Sequence, residues 1–402
     1  MKLLKQLSSC GALLLLLSLL LIAGVARVAD AYIPSAVSVF RGEEPSVPAG
    51  ITLCPEGEGE SRGAVTTQTA TARLFGVLPV KRVKIQSYEA RELCPGGGVF
   101  GLRIRLGGAM VTSLTAVGGQ DGREHRPGRE AGLLCGDLIT AVDGARITTA
   151  EELSRAVAAS EGRALSLTVK RGERTQTLSL TPVFSVAAGA YRAGLFVKDQ
   201  AAGIGTVTFI DPETGAFGGL GHGVYDSETA ALLPIERGAV TGVALSGVVA
   251  GVPGTPGELR GHLTDEKTGT LLSNTDCGVF GILAAEAPAS EPIPIGLSSS
   301  VHVGAASIRC TLSDGVCEEY GIEITEIRKD GGSTKSFCIR VTDARLLERT
   351  GGIVQGMSGS PILQDGKLIG AVTHVMISDP TAGYGIFIEN MLSVAEEARR
   401  AA

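Results

Sequence analysis

The sequence predicts a multidomain, mainly β protein in which a compact mixed α/β unit precedes a long β-rich half. Three observations lead to this prediction. The chain has 402 residues, which is long for one average domain. Its 56 glycines favour many turns and short strands. Residues 83–183 combine helix and strand signals, whereas residues 190–402 consist mostly of short apolar runs separated by turn residues.

The amino terminus predicts a signal peptide or membrane anchor over residues 1–31. Two lysines precede an apolar run over residues 11–26, and "ADA" at residues 29–31 fits an A-x-A cleavage motif. The run is short for a membrane-spanning helix, which needs about 20 residues, so cleavage and an uncleaved anchor both stay open. The rest of the chain is expected outside the cytoplasm. Residues 32–82 are expected to form a surface linker with a few strands.

Charge and cysteine usage exclude several functions. A net charge of −6 with interspersed signs gives no basic face for nucleic acid. Seven of the eight cysteines follow the signal, and this odd number implies no complete disulfide framework. Cys310 and Cys317 are the expected local pair, and the other thiols are expected to be mostly buried and free. No C-x-x-C spacing occurs, so we expect no metal site and no cofactor.

Local signals account for each element of residues 83–183. "GLRIRL" and "AMVTSLTAV" indicate strands. "TTAEELSRAVAAS" predicts a helix that begins after Thr149, because Glu152 completes a capping box with that threonine. "ALSLTVKRGERTQTLSLTPV" predicts a hairpin about the turn "RGE".

The same segment resembles a PDZ domain, on the basis of "REAGLLCGDLITAVDGARITTAEEL". The resemblance implies that "GGVFGL" is the carboxylate-binding loop, with the backbone N–H groups of Val99, Phe100, Gly101 and Leu102 facing the ligand. A peptide is then expected to add as a strand along "LRIRL". The spacing G-x-G-x-x-G also occurs here, but it leads into a strand instead of a helix, so the dinucleotide-binding interpretation is rejected.

In the β-rich half, "TGGIVQGMSGSPIL" at residues 350–363 predicts a loop that exposes a serine nucleophile. It resembles the G-x-S-G-x-P loop of chymotrypsin-like proteases, which exposes the nucleophilic serine. The resemblance implies that Ser358 is the nucleophile here and that the N–H groups of Gly356 and Ser358 form the oxyanion hole. The G-x-S-x-G nucleophile elbow does not fit, because Ser360 occupies the position of the second glycine. Ser360 is expected to shape the turn.

A serine nucleophile needs a base and a group that orients the base. The chain offers five histidines, namely His125, His222, His262, His302 and His374. His222 stands apart because glycines flank it in "GGLGHGVYD", whereas His374 follows the serine hairpin and is expected to be structural. Among the acids, Asp343 lies 15 residues before Ser358, after the strand signal "SFCIRV".

Long motifs throughout the second half resemble the stage IV sporulation protein B family of serine peptidases. They are "AAGIGTVTFIDPETGAFGGLGH", "GVPGTPGEL", "TGGIVQGMSGSP", "AVTHV" and "YGIFIE". The resemblance extends from the PDZ unit to Glu389. It implies a chymotrypsin-like double barrel over residues 190–402 and a catalytic triad of His222, Asp343 and Ser358.

The family resemblance also implies a biological role. It indicates an extracytoplasmic or membrane-anchored peptidase in the space between forespore and mother cell. The expected substrates are the protein itself and the extracytoplasmic part of a membrane regulator. That regulator restrains an intramembrane metalloprotease, and release of the metalloprotease permits processing of a sigma-factor precursor during sporulation. The PDZ unit is expected to bind a peptide. The alternative is an extracytoplasmic PDZ-bearing scaffold with an inactive protease-like barrel.

Overall fold

The structure is a computed structural model. It describes residues 16–17, 20, 22–25, 27–28, 32–62, 65–284, 290–312, 315–328 and 334–401. The predicted cleavage motif at residues 29–31 lies outside the described residues, as does much of the predicted signal segment. Within the described residues, no helix has both the length and the apolar character needed to cross a membrane. The chain divides into two units, Met1–Glu92 with Pro294–His302, and Leu93–Ile293 with Val303–Ala402.

The first unit contains a four-stranded sheet where the sequence predicted a surface linker with a few strands. Its strands are β1 (Ala36–Phe40), β2 (Ile51–Arg62), β3 (Val65–Leu74) and β4 (Leu78–Tyr88). The sheet order is β1-β4-β3-β2, with β1 parallel to β4 and the other pairs antiparallel. Alternate apolar residues such as Ala70, Ala72, Val83 and Ile85 form its core, which explains how the Thr-rich stretch folds.

The second unit begins with the elements of the mixed α/β segment. In chain order they are β5 (Glu92–Pro95), β6 (Val99–Leu114), β7 (Val117–Gly118), β8 (Glu124–His125), α1 (Pro127–Glu130), β9 (Leu138–Val142), β10 (Ala145–Arg146), α2 (Ala150–Ala159), β11 (Leu165–Arg171), β12 (Arg174–Leu180), β13 (Val183–Ser185) and β14 (Ala190–Arg192). The predicted capping box of α2 is confirmed, since Thr149 and Glu152 accept hydrogen bonds from each other's backbone N–H. The predicted hairpin is also confirmed, as β11 pairs with β12.

A closed ring of six strands follows. Strand β6 is also a member of this ring. Its other members are β15 (Leu195–Ile210), β16 (Ala216–Gly219), β17 (Arg237–Val249), β18 (Glu258–Thr275) and β19 (Gly278–Leu283). Pairing runs β6-β17-β18-β19-β16-β15, and β15 pairs again with β6. We call this ring the first barrel. The mixed α/β segment is therefore an insertion between β6 and β15, and it shares β6 with the barrel.

The remaining residues form a second closed barrel, here called the second barrel. After β20 (Ile293–Pro294) and a 3₁₀ turn (Ser298–Ser300) come β21 (Gly304–Thr311), β22 (Cys317–Ile327), β23 (Phe337–Val341), α3 (Ala344–Thr350), β24 (Pro361–Gln364), β25 (Lys367–Met376), β26 (Asp379–Phe387) and α4 (Ile388–Ala401). The strand order is β21-β22-β23-β26-β25-β24, closed by pairing of β24 with β21. The predicted double-barrel architecture is confirmed.

The expected peptide-binding edge is not open in this structure. Residues 99–102 lie inside β6, where they pair with β15 on one side, and Gly101 and Leu102 also pair with β17 on the other. Phe100 and Leu102 are buried. A peptide cannot add along "LRIRL" without displacing a barrel strand, because both edges already carry ladder hydrogen bonds. This part of the sequence prediction is wrong.

The expected disulfide is absent as well. Cys310 and Cys317 are both free thiols. Cys310 pairs in register with Glu318, whereas Cys317 pairs with Thr311. Successive residues of a strand point to opposite faces, so the two sulfurs lie on opposite faces of the hairpin. Burial raises the pKa of the Cys310 thiol to about 12.

Candidate active site

The serine loop connects α3 to β24, and both glycines of its "GMSGS" stretch have positive φ. Gly356 has φ 97° and Gly359 has φ 94°, a region that L side chains rarely adopt. A Cβ atom on Gly359 would lie 2.1 Å from the carbonyl oxygen of Thr206. The glycines of "GMSGS" therefore let the loop make a tight turn directly against the first barrel.

Strand β15 of the first barrel holds this loop through two buried threonines. The Thr206 hydroxyl donates to the Gly356 carbonyl (2.7 Å), and the Thr206 N–H donates to the Ser358 carbonyl (3.0 Å). The Thr208 hydroxyl donates to the Gly359 carbonyl (2.8 Å). Both threonines are fully buried. The two barrels thus fix the loop together, a contact that sequence reasoning did not identify.

Ser358 is half-buried, and its hydroxyl donates to the Thr373 carbonyl of β25 at 2.8 Å. The N–H groups of Met357 and Gly359 donate to backbone carbonyls within the site. By contrast, the N–H groups of Gly356 and Ser358 make no hydrogen bond to any described residue. These are the two donors that the sequence assigned to the oxyanion hole. The loop therefore presents a hydroxyl beside two unused N–H groups.

Ser360 differs from Ser358 in its exposure. It is fully buried, and its hydroxyl oxygen has no hydrogen-bond partner among the described residues. Its N–H donates to the Met357 carbonyl (2.9 Å), and its carbonyl accepts from Val372 N–H (2.9 Å). The backbone of Ser360 thus closes the turn, while its side chain is out of reach of a substrate.

His222 lies in the connection between β16 and β17, close to the same point of β25. A Cβ atom on the preceding residue, Gly221, would lie 3.0 Å from Cγ2 of Thr373, the residue whose carbonyl binds Ser358. His222 Nδ1 donates to the Gly223 carbonyl at 2.8 Å, which leaves Nε2 as the basic nitrogen. Burial lowers the pKa of His222, against a smaller raising effect of the Gly223 bond. The imidazole is therefore neutral at pH 7 and suited to accept a proton.

The structure adds His374, a residue that the sequence predicts to be structural. Its ring centroid lies 4.9 Å from that of His222, at an interplanar angle of 36°. Its Nδ1 is buried and has no described partner. Burial, followed by the neighbouring His222 and Lys335, lowers the pKa of His374 to about 4. A signal was present in the sequence, because "AVTHV" returns from the serine hairpin and places residue 374 beside the loop.

The structure does not bring Asp343 to His222. Asp343 is the N-cap of α3, where its carboxylate accepts from the Arg345 N–H (2.9 Å) and pairs with the Arg345 guanidinium (2.9 Å). The Arg345 hydrogen bonds lower the pKa of Asp343 to about 2. No carboxylate among the described residues contacts His222. Ser358 and the residue before His222 thus both lie at Thr373, and the predicted acid lies at the start of the helix that leads into the serine loop.

Comparisons with known proteins agree with this architecture. The family model described as SpoIVB peptidase S55 matches residues 189–392, and a PDZ domain model matches residues 121–171. A curated relative, "Putative zinc metalloprotease LL2128" of Lactococcus lactis, is 32% identical over 110 residues. That match covers 27% of this chain and 23% of the relative, so the chain spans about a quarter of the relative's length.

Two solved structures are among those to which the chain is similar. The HtrA-type protease AlgW with decapeptide is 14% identical, with a TM-score of 0.30 over 51% of this chain and 55% of that one. A serine endoprotease from Yersinia pestis is 16% identical, with a TM-score of 0.28 over 49% of this chain and 58% of that one.

Proposed function

This chain belongs to the SpoIVB peptidase S55 family, and from that membership we propose that it is a serine endopeptidase with Ser358 as nucleophile and His222 as general base. One observation carries the proposal: Ser358 donates to the Thr373 carbonyl from a loop that also presents the unused N–H groups of Gly356 and Ser358, and Gly221, the residue before His222, lies beside the Thr373 side chain. A nucleophile, a neutral base and an anion-binding pair of donors are the parts that acyl transfer requires.

The proposed mechanism follows from these groups. The Ser358 hydroxyl turns from the Thr373 carbonyl to His222 Nε2, and its oxygen attacks the peptide carbonyl while Nε2 takes the proton. The N–H groups of Gly356 and Ser358 stabilise the oxyanion, a contribution typically worth about 10²–10³ in rate. His222 returns the proton to the leaving amine. A water molecule, activated by the same histidine, then hydrolyses the acyl-enzyme.

The general base His222 also needs a hydrogen-bond acceptor that keeps its proton on Nδ1, so that Nε2 stays free to accept the serine proton. In this structure the Gly223 carbonyl holds the proton on His222 Nδ1. The family resemblance assigns the orienting role to Asp343. We propose that Asp343 takes this role in the active arrangement, which requires its carboxylate to exchange the guanidinium of Arg345 for the imidazole.

The proposed biological role rests on the family resemblance. The peptidase is expected to act outside the cytoplasm, in the space between forespore and mother cell, with its amino terminus either cleaved or kept as a membrane anchor. Its substrates would be the protein itself and the extracytoplasmic part of a membrane regulator of an intramembrane metalloprotease. Cleavage of that regulator would signal sigma-factor precursor processing during sporulation. The PDZ domain supports a peptide ligand as a further partner.

A second function remains as a competing proposal, that of a PDZ-bearing scaffold with an inactive barrel. Two observations favour it: the Ser358 hydroxyl is bound to the Thr373 carbonyl, and no described carboxylate contacts His222. A peptidase would have to rearrange both groups before it could cleave a substrate.

Covalent labelling separates the two functions. We expect a fluorophosphonate probe to label the wild-type protein at Ser358 and to leave Ser358→Ala unlabelled, with self-cleavage lost in the same variant. Ser360→Ala is the matched control. Its hydroxyl makes no hydrogen bond to a described residue, so its loss should leave labelling within about twofold of wild type. A folded wild-type protein that takes no label at Ser358 would establish the scaffold.

A further inference from the structure

A polar cavity of 430 Å³ lies where the mixed α/β segment meets the first barrel. We call this segment, which contains the PDZ match over residues 121–171, the PDZ segment. The peptidase mechanism does not use the cavity. Its lining includes three arginines and two acids, namely Arg105, Arg146, Arg237, Asp199 and Glu236. Arg105 belongs to β6 and Arg237 begins β17, whereas Arg146 comes from β10 of the PDZ segment. Side chains from both parts of the unit therefore converge on one space.

Two of these arginines lie at opposed positions of adjacent strands, and neither forms an ion pair with a described acidic residue. Arg105 and Arg237 are direct partners in the antiparallel register of β6 and β17. Like charges at directly opposed positions of a sheet are destabilising. Neither guanidinium forms an ion pair or a side-chain hydrogen bond with a described residue. By contrast, their neighbour Arg103 on β6 has Asp265 as a partner.

The acids of the cavity already have other partners. Glu236 forms an ion pair with Arg146. Asp199 accepts a hydrogen bond from the Ala150 N–H at the start of α2 (2.8 Å). Neither acid is therefore engaged with Arg105 or Arg237. The cavity keeps two guanidinium groups unused in a chain whose overall charge is negative.

We propose that this arginine cavity binds a carboxylate of a peptide. A guanidinium presents a planar fork of donors that matches a carboxylate in a bidentate geometry, and such charge-assisted pairs are about twice as strong as neutral hydrogen bonds. A carboxylate between Arg105 and Arg237 also removes their mutual repulsion. Its source is either a C-terminus or an Asp or Glu side chain. The proposal does not depend on the peptidase activity.

The position of the cavity links it to the active site. The segment that begins with His222 ends with Glu236 and Arg237 at the cavity. Asp226, in the middle of that segment, forms an ion pair with Lys198 of β15. The cavity therefore lies at one end of the connection between β16 and β17, which also carries the proposed base.

Fluorescence anisotropy tests the proposal with the Ser358→Ala protein, in which peptide cleavage cannot interfere. The probes are a fluorescein-labelled peptide with acidic side chains and a free C-terminus, its C-terminal amide, and a neutral version with Gln and Asn in place of the acids. We expect at least tenfold weaker binding to the double variant Arg105→Gln/Arg237→Gln, and weaker binding at higher salt. The amide and neutral probes show which carboxylate is bound.

Arg103→Gln is the matched control, because it removes an arginine of the same strand that lies outside the cavity lining. We expect it to bind within about twofold of the parent protein. Equal affinity of parent and double variant, or equal affinity of the parent for all three probes, overturns the proposal. Competition by inorganic phosphate at a concentration as low as that of the peptide also overturns it, since it indicates a general anion site. Thermal unfolding confirms that the double variant is folded.

Discussion

At the scale of single residues, exposure and hydrogen bonding separate groups that look equivalent in the sequence. Ser358 and Ser360 are two positions apart, yet one is half-buried beside unused N–H donors and the other is fully buried. His222 and His374 are neighbours in space although 152 residues separate them in the chain. Both histidines have a lowered pKa because burial disfavours the charged form.

The role of Asp343 is testable because its cap can be kept while its carboxylate is removed. Serine is a good N-cap residue, so Asp343→Ser should keep α3 folded, whereas Asp343→Ala should cost about 1 kcal/mol of unfolding free energy. If Asp343 orients His222, both variants lose about 10³–10⁴ in the rate of peptide cleavage. We expect that loss. Cleavage near the wild-type rate in Asp343→Ser would assign this residue to helix capping alone.

His374 makes a prediction about stability and pH. Its pKa is about 4 in the folded chain against a usual 6.5, so the unfolded chain binds the additional proton between these values. Unfolding free energy should therefore fall as the pH drops from about 6.5 toward 4. We expect His374→Phe, which keeps a ring without the unpartnered nitrogen, to show a weaker fall in urea titrations. An identical pH dependence in both proteins would contradict this assignment.

At the scale of elements, β15 does two things at once. Its first residues pair with β6 beside the PDZ segment, and its later residues hold the serine loop through Thr206 and Thr208. The capping box of α2 and the hairpin of β11 and β12 were predictable, because each depends on residues close in sequence. The hydrogen bond from Thr206 to Gly356 was not predictable, since 150 residues separate the two positions.

The contribution of the Thr206 and Thr208 hydrogen bonds to the serine loop can be measured with isosteric substitutions. Thr206→Val leaves the Gly356 carbonyl without its donor, and Thr208→Val does the same to Gly359. We expect each to cost about 1–3 kcal/mol of unfolding free energy, since a buried acceptor loses its partner, and to slow labelling of Ser358. Thr241→Val is the control, because the Thr241 hydroxyl is buried without a described partner. Wild-type stability and labelling in Thr206→Val would refute the role.

At the scale of the whole molecule, the domains are interleaved, whereas the sequence suggested a linear series. The PDZ segment is inserted between β6 and β15, and β6 supplies both the barrel and the PDZ sheet. This sharing explains why the expected peptide-binding residues are wrong. Residues 99–102 have the apolar alternation of a PDZ strand, but the same alternation suits a barrel strand, and local pattern does not distinguish them.

The sequence by itself determined the family, the mainly β class, the α2 cap and the serine loop, since each depends on short-range pattern or long motifs. The tertiary structure alone decided which residues meet. It placed the His222 ring beside His374, bound Ser358 to the Thr373 carbonyl next to that histidine in β25, kept Asp343 at the start of α3, and closed both edges of β6. Strand pairing over long sequence separations sets these contacts, and a local pattern specifies which face of a strand is buried but not which strand lies next to it.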